Sequence, residues 1–310
     1  MKYDRKSIEK ESLVSIEGAV DLHVHTGPSV IVRAFNDVET AHKAAEAGMQ
    51  AIVLKDHFEC TSGRAWHTSR QVPEIKVFAG IVLNRYVGGV NPIAVETALL
   101  KEAKQIWMPT VDSSHHAQEY GTTSTYQVQG VGHGAAMPKP SSRMQQAKGI
   151  SILKDNDLTG EAKDVVNLVA EYDVILATGH ISKKEVFILA KYAKATNFEK
   201  VLITHPDFDI LSEFDLQDLK NLVENYGTFV EFTAATVFNP DCSMTIEKVK
   251  EWMEVLGPDN CVISSDSGAP FSPMMPEVLR IYGQELYQVG VSKENLRKMM
   301  VDNPKRLLGL

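Results

Sequence analysis

The sequence is poor in cysteine: three residues, Cys60, Cys242 and Cys261, are widely spaced and form no Cys-x-x-Cys pair. This excludes a disulfide framework and a thiolate zinc site, and it fits a reducing compartment. Basic runs are equally scarce. Lys and Arg number 32 against 40 Asp and Glu, a formal net charge of −8, and no basic run exceeds two residues, as at Lys183-Lys184. Such a chain lacks the electrostatic footprint of a nucleic-acid binder, and membrane-surface binding loses support for the same reason. No apolar run reaches the ~18 residues that span a bilayer. The opening Met1-Lys2-Tyr3-Asp4-Arg5-Lys6 is polar, with no apolar leader region, so a cytoplasmic location is expected.

What is present is an ordinary globular balance, 44% hydrophobic and 23% charged. Short apolar runs alternate with helical patterns along the chain. The runs Ala19–Val24, Ala51–Leu54, Val77–Leu83, Gln105–Val111, Val174–Ala177, Val201–Thr204, Thr228–Phe232 and Cys261–Ser264 are apolar on both faces, as strands buried on both sides are. Helix signals separate them. Asn36 caps a helix stopped by Gly48, Ser182 with Glu185 forms a capping box, Ser212 and Glu213 open a helix ending before Gly227, and Thr245 opens one closed by Gly257-Pro258. Parallel βαβ units in a single domain over 1–310 are the expectation. The interval between the fourth and fifth strands is longer than the rest. Its insert, about 112–156, is rich in Gly, Ser, Thr, Gln and His; Gly130–Gly134 reads as loop and Gly149–Lys154 as a small extra strand.

The histidines fall where strands end. His23 and His25 close the first strand, His57 follows Lys55 after the second, and Asp112, His115 and His116 follow the fourth. His180, His205 and Asp266 come after the fifth, sixth and eighth. In a closed parallel barrel all strand C-termini open on one face, which collects these groups into one ring; an open sheet would spread them along an edge. That convergence favours a (β/α)8 barrel, the TIM type. Residues i and i+2 share a strand face, so His23 and His25 can aim at one ion, and imidazoles with a carboxylate suit zinc first among divalent metals. Taken singly, each histidine at a strand end also fits a hydrogen-bonded or exposed residue; the joint pattern points to the metal.

The pattern Asp21-x-His23-x-His25, then His180, His205 and Asp266, resembles the amidohydrolase superfamily of metal-dependent hydrolases over residues 18 to 310. The ending Asn303-Pro304-Lys305-Arg306-Leu307-Leu308-Gly309 is similar to family endings, with its leucines expected under the barrel. Among branches, the phosphotriesterase-like and the decarboxylase or lactonase types are the most similar. The resemblance implies one or two divalent ions that activate water against an ester, lactone, amide or phosphoester of a small molecule. It implies His23, His25, His180, His205 and Asp266 as ligands, with Asp266 moving the proton and His205 or His180 stabilising the developing oxyanion.

One departure concerns metal number. Where binuclear members carry a bridging Lys or Glu after strand four, Met108-Pro109-Thr110-Val111-Asp112 offers only Asp112; Lys55 and Lys154 are the alternative bridges, and one ion or two stays open. Lys55 and His57 are candidates for an anionic substrate group, with Arg85, Asp112, His115 and His116 as further candidates at the mouth. A decarboxylase on the same barrel, a phosphoesterase of the polymerase-and-histidinol-phosphatase type, a ligand-binding barrel without turnover, and a homo-oligomer all stay open.

Overall fold

The computed structural model describes residues 13–124, 142–208, 213–238, 244–270 and 272–310. Among them, eight strands lie side by side in chain order: β1 (Val20–His25), β2 (Ala51–Lys55), β3 (Lys76–Val82), β4 (Gln105–Trp107), β5 (Ile175–Ala177), β6 (Val201–Ile203), β7 (Phe229–Thr233) and β8 (Cys261–Ser264). Every ladder between neighbours is parallel. The helices are α1 (Asp37–Glu46), α2 (Ser62–Gln71), α3 (Pro92–Leu100), α4 (Ser114–Tyr120), α5 (Gly160–Glu171), α6 (Lys183–Ala195), α7 (Leu216–Tyr226), α8 (Ala234–Phe238), α9 (Ile246–Leu256) and α10 (Met275–Gln288), followed by consecutive short helical segments from Lys293 to Leu308. This is a (β/α)8 barrel.

Closure between β8 and β1 uses few backbone bonds. Val24 bridges Ser267, and the His25 N–H donates to the Ser267 carbonyl at 2.9 Å. The Ser265 N–H donates to the two Asp21 carboxylate oxygens at 3.1 and 3.2 Å, so a side chain replaces a missing ladder acceptor.

Alternation along the strands divides the core. Ile52 and Leu54 pack outward with the helices, whereas Ala51 and Val53 point inward, which puts Lys55 at the next inward position. In β1 the register against β2 shifts between Asp21 and Val24. Before the shift Val20 and Leu22 line the interior; after it Val24 joins the outer core, leaving His23 and His25 inside. Trp107 fills the interior opposite Gly80, where a Cβ would lie 2.2 Å from the indole Cζ3. Leu307 and Leu308 belong to the interior cluster, as the tail motif suggests.

Several boundaries differ from the sequence reading. The fourth strand stops at Trp107 rather than Val111, because the chain beyond it turns so that the Thr110 and Asp112 N–H groups donate to Asn84 Oδ1. Asp215, not Ser212 or Glu213, caps α7 in a box with Asp218, and Ser212 lies outside the described residues. Only Leu153–Lys154 of the small strand forms, pairing antiparallel with Asp157–Leu158, while Ile150 bridges Ser113. The Gly130–Gly134 stretch lies outside the described residues. The described start of the insert is helix rather than loop: α4, capped by Ser113, carries His115 and His116, and both are buried.

Candidate metal centre

Five imidazoles close a ring at the C-terminal mouth. Their centroids are separated by 5.3 Å for His23 and His25, 4.9 Å for His25 and His57, and 6.2 Å for His57 and His180. The circuit closes with 5.2 Å for His180 and His205 and 5.8 Å for His205 and His23. The Trp107 ring lies beneath, 6.1 Å from His23 and 5.4 Å from the Lys55 ammonium. His116 on α4 joins from outside the ring, its Nδ1 3.2 Å from His180 Nδ1.

The ligand-type atoms of His23, His25 and Asp266 all lie within 4.8 Å of one another. Asp266 Oδ1 is 3.0 Å from His23 Nε2 and 3.2 Å from His25 Nε2. On the far side of each ring is an acceptor: the Glu231 carboxylate, 3.1 Å from His23 Nδ1, and the Lys55 carbonyl, 3.1 Å from His25 Nδ1. With a metal on Nε2, these acceptors would hold the ring proton on Nδ1, the form in which histidine ligates a metal. The Arg33 guanidinium also comes within 3.1 Å of His25 Nδ1 and competes with the carbonyl for it. The buried Glu231 and the partly buried Asp266 are both held ionised beside the histidine rings, negative charge that a cation would compensate. The residues therefore fit a divalent cation. A positive group already stands at this point, since Lys55 Nζ is 2.8 Å from His23 Nε2.

Burial and neighbouring charge set the protonation of the site. Burial works to raise the Asp266 and Glu231 carboxyls, but adjacent imidazoles hold Asp266 well below the usual carboxylate range and Glu231 below it. Burial, and then the Arg33 charge, push His25 well below the ordinary histidine value. Burial with Lys55 does the same to His57, and burial with His205 to His180. Burial brings His205 down to about 4. His23 moves up, because Asp266 and Glu231 together overcome burial. Burial lowers Lys55 to about 8. Both His205 (φ +26°) and Asp266 (φ +47°) hold positive-φ backbone, a conformation that side chains other than glycine adopt at a cost and that clusters at functional sites. Gly268 permits the tight return after Asp266, since a Cβ there would sit 2.1 Å from the His25 carbonyl oxygen.

Of the residues singled out in the sequence, His23, His25, Lys55, His57, His180, His205 and Asp266 meet at the mouth, with His116 touching His180. His115 is buried on α4. Arg85 and Asp112 are occupied elsewhere. Asp112 accepts from the Arg85 N–H at 2.9 Å and from the Ser124 hydroxyl at 2.7 Å, and the Arg85 guanidinium reaches Thr123 and the Lys148 carbonyl, stitching the insert to the loop after β3. Lys154 is exposed on the hairpin. Glu231, Arg33 and the Asn84–Thr110 pair were not anticipated. For Glu231 a signal existed: a lone acid within the apolar run Phe229-Val230-Glu231-Phe232 must face something that compensates it.

The eight-stranded parallel barrel is an architecture that this chain shares with solved structures. Solved structures of that architecture align over nearly the whole chain. An amidohydrolase from Pseudomonas aeruginosa aligns with a TM-score of 0.62 at 13% identity, covering 94% of this chain and 95% of its own. The probable dipeptidase PvdM from the same organism gives 0.60 at 12%, covering 96% and 95%. An organophosphorus hydrolase from Deinococcus radiodurans gives 0.55 at 15%, covering 96% of each chain. At such identities the likeness establishes the fold. Residues 18–231 match DUF6282, a family of unknown function, and the chain belongs to that family. No curated protein matches the sequence.

Proposed function

We propose that this protein is a metal-dependent hydrolase that directs water against a carbonyl or phosphoryl centre of a small molecule bearing an anionic group. The observation that carries the reading is the convergence of His23 Nε2 and His25 Nε2 on one oxygen of Asp266, with Nδ1 of both rings backed by acceptors. That His/His/Asp donor set, with His180 and His205 facing the same mouth, favours zinc. His23, His25 and Asp266 would hold a divalent ion, which would supply Lewis acidity to the reaction. Asp266, held ionised by its imidazole neighbours, takes the proton from the attacking water and passes it to the leaving group. His205, neutral because it is buried, donates to the developing oxyanion. Lys55 and Arg33 bring positive charge beside the ring in a chain whose net charge is negative, which supports an acidic group on the substrate.

The test is metal analysis of the purified protein together with turnover of an ester, lactone, amide and phosphoester panel that includes carboxylated members. Stoichiometric zinc and hydrolysis of at least one acidic member are expected, and Asp266→Asn should lower kcat by about three powers of ten with metal retained. Carbon dioxide release without hydrolysis would identify a decarboxylase on this barrel instead. A fully loaded protein inert on every member would leave a binding barrel.

A further inference from the structure

A chain of buried hydrogen bonds fixes which nitrogen of His57 carries the proton. Asn84, following β3, accepts at Oδ1 from the Thr110 N–H at 2.8 Å and the Asp112 N–H at 3.3 Å. Backbone N–H groups can only donate, so the amide orientation is determined: Nδ2 is the other arm, donating to the His57 carbonyl at 2.9 Å and to Thr110 Oγ1 at 2.8 Å. Having accepted from Asn84, the fully buried Thr110 hydroxyl has its own hydrogen to place, and the acceptor within reach is His57 Nδ1 at 2.8 Å. The alternative, a second donor on the same oxygen, would strand that hydrogen in the interior. His57 Nδ1 is therefore an acceptor and the ring proton sits on Nε2. Nε2 of His57 lies across the ring from Thr110, on a ring flanked by the His25 and His180 imidazoles.

We infer that His57 is a neutral hydrogen-bond donor to an oxygen of the bound substrate, a carboxylate, phosphoryl or carbonyl oxygen, and neither a metal ligand nor a proton acceptor. Asn84 and Thr110 are the positioning residues that hold it in that role. The substrate half of this inference rests on the hydrolase reading; the tautomer half does not.

Long-range 1H–15N correlation NMR on the full-length protein labelled with 15N-histidine reads the tautomer directly, with His57→Gln assigning the signal. The Nε2–H pattern is expected in wild type and in Thr110→Ser, and its loss in Thr110→Val. An Nδ1–H pattern in wild type overturns the inference without any variant having to fold. Inorganic phosphate is the probe for the second half, titrated into zinc-loaded protein. His57→Gln, which keeps a donor, should bind within about threefold of wild type, and His57→Phe about tenfold more weakly, the equivalent of about 1.4 kcal/mol. Unchanged binding by folded His57→Phe overturns the donor role. An Nδ1–H tautomer alongside turnover on the substrate panel would sink this inference and leave the hydrolase reading standing. The Nε2–H tautomer with no turnover on any panel member would keep the tautomer half and sink the hydrolase reading.

Discussion

Glu231 offers the sharpest test of the proposed centre because it would act on a bound cation only through the His23 imidazole. Its Oε2 is 3.1 Å from His23 Nδ1, and neither side chain has any exposed surface. Replacing Glu231 by Gln keeps shape and volume but exchanges a charge-assisted bond for a neutral one, a difference of about 1–2 kcal/mol. The loss falls on the basicity of His23 Nε2, and carboxylates in this position typically change metal affinity by about 10–100-fold. Competition between the protein and a chromophoric chelator at neutral pH measures this, with circular dichroism confirming the fold. Glu231→Gln should weaken zinc by about that range. In a His23→Gln background the same change should cost little more, since the effect runs through that imidazole. If folded Glu231→Gln binds zinc within twofold of wild type, or the two substitutions prove additive, His23 is not a ligand backed by Glu231.

Further expectations address the ligands, acid stability and the packed interior. His23→Ala and His180→Ala should each leave the purified protein with substoichiometric zinc; full occupancy in both would contradict their assignment. In metal-free protein, His205 stays neutral in the fold down to about 4 but gains a proton near 6.5 when unfolded, so its contribution is complete above about 6.5 and is lost as pH falls towards 4. That interval is worth about 3 kcal/mol. His25, His57 and His180 act in the same direction, whereas His23, with its raised pKa, opposes them. Urea melts of wild type and His205→Asn between pH 4 and 7 should show the variant losing up to about 1.4 kcal/mol per pH unit of slope, and identical slopes would refute this. Gly80→Ala drives a methyl into the Trp107 indole and should cost about 1–3 kcal/mol, seen as a lowered urea midpoint. A neutral result would mean that the indole has room to move.

Much of this molecule is written locally. A strand buried on both faces is an unbroken apolar run, a helix start is a cap three residues from its partner, and both are short-range patterns; β8, the cap at Asn36 and the box at Ser182 sit where those patterns put them. Polar residues at the ends of parallel strands share one face whatever lies between them, so the histidines and Asp266 were legible as one site before any distance was known. What local pattern cannot supply is the neighbour across the barrel. Closure sets Glu231 behind His23 and Asp21 against Ser265, contacts spanning 208 and 244 residues of chain. It gives Arg85 and Asp112 to the insert instead of the mouth, and it buries His116 against His180. Sequence determines which face a side chain takes, because periodicity is a property of the backbone. Which partner it meets there, and so which nitrogen of an imidazole keeps its proton, is decided only when the sheet closes on itself.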